Sequence, residues 1–332
     1  MEKPNTITDV ARDAGVSIKT VSRVMNGEPH VSSKTREKVL KSVERLNFKV
    51  NAAARALRSK SAKRLVLILD NPSQSYTEAV QINAVLACQP FNFELSLQTL
   101  PDIDVLKAAM SKGDLVGVVL TPPLSNNLDL ISELEEALVP FVRVGAEKSS
   151  QAGDRIGVDD RVAAAEMTRY LIDLGHSRIG FIMGDEGYDV TRRRLLGYLD
   201  SLKAQGIPRD DSLIARGDFS YMSGLVCAEK MLTQASKPTA IFASNDDMAA
   251  GCLASAYKLG IRVPDMLSVV GFDDAPFSRI IYPALTTVHQ SIGHMMEEAV
   301  SVLAARRSDP FAPLRETVIA HSLVKRESCA PP

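Results

Sequence analysis

The sequence predicts a chain in two parts: a small all-α headpiece built as a helix-turn-helix, and a larger α/β body of parallel sheets. Three observations lead there. Residues 6–46 repeat apolar side chains at helical spacing, broken by Gly15 and by the turn-forming run Asn26-Gly27-Glu28-Pro29. From Arg64 onward ten short apolar runs alternate with helix-length amphipathic stretches, the rhythm of βαβ units covered on both faces. Charge divides at the same place: residues 1–64 hold fifteen Lys or Arg against six Asp or Glu, a net of +9, so a whole-chain charge of −1 leaves −10 on the remainder. A basic head on an acidic body suits phosphate neutralisation at one end only.

Taken in order, Thr6 can accept from the backbone N–H of Asp9 and open a helix whose Val10, Ala11 and Ala14 fall on one side. Gly15 ends it. Ser17 offers a hydroxyl cap for a second helix, in which Val21, Val24 and Met25 repeat at i, i+3 and i+4. The free face of that helix carries Ile18, Lys19, Ser22, Arg23 and Asn26, a set of donors, cations and one apolar tip that fits a major groove. Ser32 can cap a third helix with Val39, Val43 and Leu46 on one face. The segment Asn51 to Lys60, NAAARALRSK, is alanine-rich and basic, with Leu57 its only large apolar residue. Alanine favours a helix but buries almost nothing, so this piece is a marginal helix that needs a partner to persist. The body's strands are read at RLVLIL, FELSLQ, LVGVVL, PFVRVG, RIGVD, RIGFIMG, LIARGD, TAIFAS, LSVVGF and LTTVHQ, with a crossover helix from Asp160 to Leu174.

The runs TITDVARDAGVSIKTVSRVMNG, VSSKTREKV and NAAARAL resemble the DNA-binding headpiece of the lac repressor (LacI/GalR) family of bacterial transcription regulators, closely over about the first sixty residues. The resemblance implies a headpiece at 1–50, a hinge helix or linker at 51–63 and a ligand-binding and dimerisation domain at 64–332. That domain would have two lobes, like those of periplasmic sugar-binding proteins, the N-lobe at about 64–159 and 290–320 and the C-lobe at about 160–289. It further implies a homodimeric repressor on a near-palindromic double-stranded DNA operator, controlled by a small effector, a sugar or sugar-like molecule. Ile18, Lys19 and Arg23 are expected at base edges, and Thr20, Ser22, Asn26 and His30 at phosphates. In the family the hinge leucine wedges into the minor groove, and Leu57 stands at that place. Where the family usually has proline before the hinge, this chain has Val50.

Polar residues follow directly after several predicted strands, where a ligand between two lobes would be reached. Arg194, Phe219, Asn245 and Asp273 match the family's ligand-contacting pattern in TRRRLLGY, GDFS, ASNDDMA and GFDDAPFS. Together they offer a cation, an apolar face, an amide and an acceptor, which suits vicinal hydroxyls. Asp246 and Asp274 are expected to be structural, since a carboxylate near a helix start stabilises that end without a ligand. The N-terminal lobe is expected to contribute Asn71, Ser73, Tyr76, Thr121 and Asp160.

Other chemistries find little support. Cys88, Cys227, Cys252 and Cys329 are scattered without CxxC spacing and read as reduced thiols. His30, His176, His289, His294 and His321 have no metal-ligand spacing, His176 reading as a structural histidine, and neither a P-loop, GxSxG nor dinucleotide fingerprint occurs. No cofactor and no catalytic residue is predicted. MEKPNT runs into the first helix without an apolar leader, and no uncharged apolar run is long enough to span a bilayer, so a cytoplasmic protein is expected. The closing KRESCAPP lacks a leucine heptad, which in this family points to dimers over tetramers. A transport receptor would need an export signal in place of the basic head, and a carbohydrate-processing enzyme would need a nucleophile or metal beside its paired Asp residues.

Overall fold

A computed structural model describes residues 7–25, 33–46, 63–146, 152–310 and 312–332. The chain divides into two compact units, Met1–Ala62 and Lys63–Pro332.

Among the described residues the first unit contains three helices, α1 (Ile7–Ala14), α2 (Ile18–Met25) and α3 (Ser33–Arg45). Gly15 joins α1 to α2 with φ +61°, a left-handed conformation that stops α1 at no steric cost. The hydroxyl of Ser17 then accepts from the Thr20 N–H at 3.1 Å and starts α2. Val10, Ala11, Ala14, Val21, Val24 and Val39 are buried together, with Val16, Val43 and Leu46 packed around them. An ion pair from Arg45 to Asp13 ties α3 to α1 and holds the Asp13 carboxyl below its ordinary range. The caps expected at Thr6 and Ser32 lie outside the described residues.

The second unit winds two parallel sheets between helical layers. In its first lobe the strands are β1 (Lys63–Ile68), β2 (Phe93–Gln98), β3 (Leu115–Leu120), β4 (Phe141–Val144), β5 (Asp154–Gly157) and β11 (Glu316–Val318), in the order β11-β5-β4-β3-β1-β2. Strand alternation supplies two cores. Leu65 and Leu67 join α4 (Gln74–Cys88) and α11 (Ile292–Arg306) on one face, whereas Val66 and Ile68 join α5 (Ile103–Ser111) and α6 (Leu128–Glu136) on the other.

The second lobe repeats the plan with β6 (Ile179–Met183), β7 (Ile214–Arg216), β8 (Ala240–Ala243) and β9 (Ser268–Val270), in the order β7-β6-β8-β9. Phe181, Ala240 and Phe242 face α7 (Asp160–Asp173) and α8 (Asp189–Ala204). Ile182, Ile241 and Val269 face α9 (Tyr221–Leu232) and α10 (Asp246–Lys258). A short antiparallel pair, β10 (Thr287–Gln290) with β12 (His321–Val324), packs against α7. The chain therefore passes between lobes three times: after β5, after β10 and between β11 and β12. The last residues return to the second lobe, where Ser328 pairs with Val269 and the Ala330 carbonyl accepts from Ser268 and faces His176.

Candidate functional site

Two sets of residues emerge, one in each unit. In the first unit α2 carries positions 18, 19, 22 and 23, and its Val21 and Val24 are buried. Ile18 is 44% exposed, an apolar residue at the start of a helix that the core does not use. Thr20 is engaged locally, its hydroxyl 2.9 Å from that of Ser17. Lys19, Ser22 and Arg23 lie on α2, whereas Asn26, His30 and Leu57 lie outside the described residues.

In the second unit a cavity of about 500 Å³, its open mouth included, lies at the carboxyl ends of both sheets. Its lining combines Asn71, Ser73 and Tyr76 with Asp160, Arg194, Phe219, Asn245 and Asp273, eight of the nine residues expected around an effector. The ninth, Thr121, is not in the lining: it is fully buried and its hydroxyl donates to the Ile68 carbonyl at 2.9 Å, while the neighbouring Pro122 lines the cavity. Asp160, expected from the N-terminal lobe, opens α7 in the second lobe, and its carboxylate takes the Nε–H of Arg194 at 2.8 Å.

Arg194 is the hub. It rises from the second turn of α8, its side chain 5% exposed, and its Nη1 also donates to the Ser244 carbonyl and lies 4.0 Å from Asp273 Oδ1. The guanidinium rests 3.6 Å from the centroid of Phe272, a cation–π contact. Asp273 accepts from Gln290 as well. Burial pushes the Asp273 carboxyl up to about 7, against the pull of Arg194 and Gln290. Asn245 caps α10 through Met248 N–H at 2.9 Å and donates to the Phe219 carbonyl at 2.9 Å. That places its amide at the wall with a fixed orientation.

Backbone strain concentrates here. Phe219, Asp273 and Asp274 have φ of 70°, 115° and 58°, conformations that L residues rarely adopt. Gly184 makes room for the first of them, since a Cβ there would lie 2.0 Å from the Phe219 ring. The Phe219 ring meets Tyr188 edge-on at 5.3 Å.

Asp246 and Asp274 are structural. Asp246 accepts from Thr287 at 2.6 Å and from the Ala275 N–H at 2.8 Å, and burial raises its pKa well above the ordinary value. Asp274 is held by Arg326, Arg279 and His289. His176 is structural too, with Nδ1 2.9 Å from the Thr239 hydroxyl and Nε2 3.0 Å from that of Ser268, and burial lowers its pKa.

Sequence reasoning missed Tyr188, Val190, Gln290 and Met295 in the lining, and Asp247, which bonds to the lining residue Ser73. Asp247 crosses between lobes: Ser73 donates to it at 2.8 Å and the Ser75 N–H at 3.3 Å. Tyr188 crosses the other way, its hydroxyl donating to the Asp70 carbonyl at 3.3 Å. Among the described residues no cluster of His, Cys, Asp and Glu could hold a metal ion.

Residues 6–51 match the model of bacterial regulatory proteins of the lacI family, and residues 168–329 match that of a periplasmic binding protein-like domain. Catabolite control protein A of Priestia megaterium is 36% identical over 293 residues, covering 86% of this chain and 87% of that protein. The HTH-type transcriptional regulator DegA of Bacillus subtilis (strain 168) is 31% identical over 334 residues, covering 98% of each. Among solved structures, the lac repressor dimer bound to operator and the anti-inducer ONPF superposes with a TM-score of 0.72 at 28% identity, covering 99% of this chain and 100% of that one. A transcriptional regulator CelR–cellobiose complex superposes with a TM-score of 0.73 at 28% identity, covering 98% and 99%. With a relative above the thirty-percent level along nearly its whole length and both domains matched, this chain belongs to the LacI family of bacterial regulatory proteins, and is a DNA-binding transcription regulator, not an enzyme.

Proposed function

We propose that the protein is a repressor that binds a near-palindromic operator as a homodimer and changes its hold on DNA when a sugar-like effector occupies the cleft between its lobes. The observation that carries this reading is the convergence of a buried cation, fixed amides, carboxylates and three aromatic rings from two lobes on one cavity. Vicinal hydroxyls match such a set, and the rings of Tyr76, Tyr188 and Phe219 offer faces to the C–H side of a sugar. The solved CelR relative holds cellobiose and the solved lac repressor is a dimer on operator, which supports the same assignment here.

Apolar residues left in solvent support dimerisation. Ile82, Val85 and Leu86 share an exposed face of α4 in the lobe that also exposes Leu97 and Leu100, and the other lobe exposes Tyr221, Met222 and Val226 on α9 together with Tyr257, Ile280 and Tyr282. With one patch on each lobe, a change in lobe angle alters the spacing of two partnered subunits, and so of the segments at 51–63 that join each body to its headpiece at 1–50. A marginal hinge helix needs only a few kcal/mol of differential effector affinity to form or melt. Ile18, Lys19 and Arg23 are assigned to bases, Thr20, Ser22, Asn26 and His30 to phosphates, and Leu57 to the minor groove. The work is cytoplasmic, and among the described residues no helix is long and apolar enough to cross a membrane.

The test is a random-site selection on duplex DNA with full-length protein, followed by operator titration with and without sugars. Lys19→Ala is expected to cost roughly 1–3 kcal/mol and relax preference at one base pair. Absence of any salt-sensitive duplex affinity rejects the reading.

A further inference from the structure

One carboxylate joins the two lobes beside the cleft. Asp247 stands in the first turn of α10 in the second lobe. Its Oδ2 accepts from the Ser73 hydroxyl at 2.8 Å and from the Ser75 backbone N–H at 3.3 Å, both in the first lobe. Ser73 is the N-cap of α4 and Ser75 is the second residue of that helix. A side chain of one lobe therefore completes the start of a helix in the other.

The first N–H groups of a helix find no partner inside it and form the positive end of its dipole. The first turn of α4 contains no acidic residue to meet that end. Ser73 serves it in part, its oxygen accepting from the Tyr76 N–H at 3.3 Å, which leaves the hydroxyl proton for Asp247. The neighbouring Asp246 cannot take the same role, because its two oxygens are bound within the second lobe region by Thr287 and the Ala275 N–H. Asp247 also lies at the positive end of its own helix, so the starts of two helices from different lobes share one negative charge. The other bridge between lobes, from the Tyr188 hydroxyl to the Asp70 carbonyl at 3.3 Å, joins neutral groups. Bonds to an ionised acceptor are about twice as strong as neutral ones. Asp247 is the dominant of the two.

We propose that Asp247 is an electrostatic latch: it biases the lobes toward the arrangement in which they meet, using groups of the protein alone, and thereby sets the hold on operator before any effector acts. The consequence for DNA rests on the operator binding proposed above, whereas the latch itself does not. An effector works on a balance that this carboxylate has already tilted, so the differential affinity it needs depends on the depth of the tilt. Asp247 is only partly buried, and salt screens it.

The Ser75 amide reports the latch directly, because its hydrogen bond crosses between lobes. Hydrogen exchange on the full-length protein, with wild type, Asp247→Asn, Asp247→Ala and Asp247→Glu compared, is the experiment. Exchange at Ser75 is expected to quicken about tenfold in the Asn and Ala variants and less in Glu, which keeps the charge, while amides in the middle of α4 and α10 are unchanged. Raised salt is expected to quicken Ser75 in the wild type more than in the Ala variant. An unaltered Ser75 rate in the Ala variant overturns the latch. Faster exchange along the whole of α4 or α10 overturns it too, since Asp247 would then be a brace for one helix. Titration of a selected operator in sugar-free buffer is expected to show affinity changed at least about threefold in the Asn and Ala variants, the sign telling whether the joined lobes grip DNA or release it. A quickened Ser75 amide with unmoved operator affinity overturns the regulatory role. Wild-type protein without operator affinity rejects the function proposed above, and the exchange rates still decide the latch.

Discussion

The two lobes share a fold but furnish the cleft with opposite kinds of residue. The second lobe supplies buried charge, Arg194, Asp160 and Asp273, each braced by neighbours on its own lobe or on the adjoining β10. The first lobe supplies neutral groups, Asn71, Ser73, Tyr76, Pro122 and Gly145. A buried ion network is costly to rearrange, because each charge it leaves unpaired loses several kcal/mol. Neutral groups carry no such penalty. The second lobe is therefore a fixed template, and the first can close on a ligand or withdraw through exchangeable contacts such as Ser73 with Asp247 and Tyr188 with Asp70.

Substitutions can break this contrast. Arg194→Ala strips the guanidinium from Asp160 and Asp273 and is expected to cost about 3–5 kcal/mol in denaturant unfolding, along with effector binding. A loss under about 1 kcal/mol would mean the network is dispensable.

Asp273→Asn should act in the opposite sense. The folded-state pKa of about 7 stands above the ordinary 3.8, so between those values the native protein holds a proton that the unfolded chain has released. Wild-type stability consequently falls as pH rises through that window and levels off above it. The variant escapes the penalty and is expected to be more stable by up to about 4 kcal/mol at pH 8, with the advantage fading toward pH 4. A pH-independent difference would place the cost elsewhere.

Gly184→Ala sharpens the template side. It pushes on the Phe219 ring and is expected to cost about 1–3 kcal/mol, with impaired effector binding in calorimetry. Ser73→Ala, on the first lobe, removes a helix cap and one contact between lobes, and about 1 kcal/mol of stability is expected to go with it. If Ser73→Ala proves as damaging as Arg194→Ala, the lobes are not divided into template and lid.

The strands were legible because they are covered on both faces. Leu115–Leu120 is buried along its whole length, so its apolar run stands out against any neighbour. Edge strand β11 was not, since Glu316 and Val318 are exposed and Thr317 only half-buried. In the cleft, Asn245 and Asp273 were found as polar residues directly after strands. Gln290 ends β10 in the same manner and the same signal could have found it. Tyr188 could not be read this way, because only the opposed lobe gives its hydroxyl a partner in the Asp70 carbonyl. Asp160 lines the cleft with its carboxylate engaged by a guanidinium, whereas the hydroxyl of Thr121, next to lining Pro122 in sequence, is taken by a backbone carbonyl.

The three passages of chain between lobes have a consequence for biogenesis. The edge of the first sheet is closed by Glu316–Val318 against β5, and the second lobe receives Ser328 and Ala330 against β9 and His176. Neither lobe can finish while a ribosome still covers those residues, and until they emerge the β5 edge of the first sheet stays unpaired.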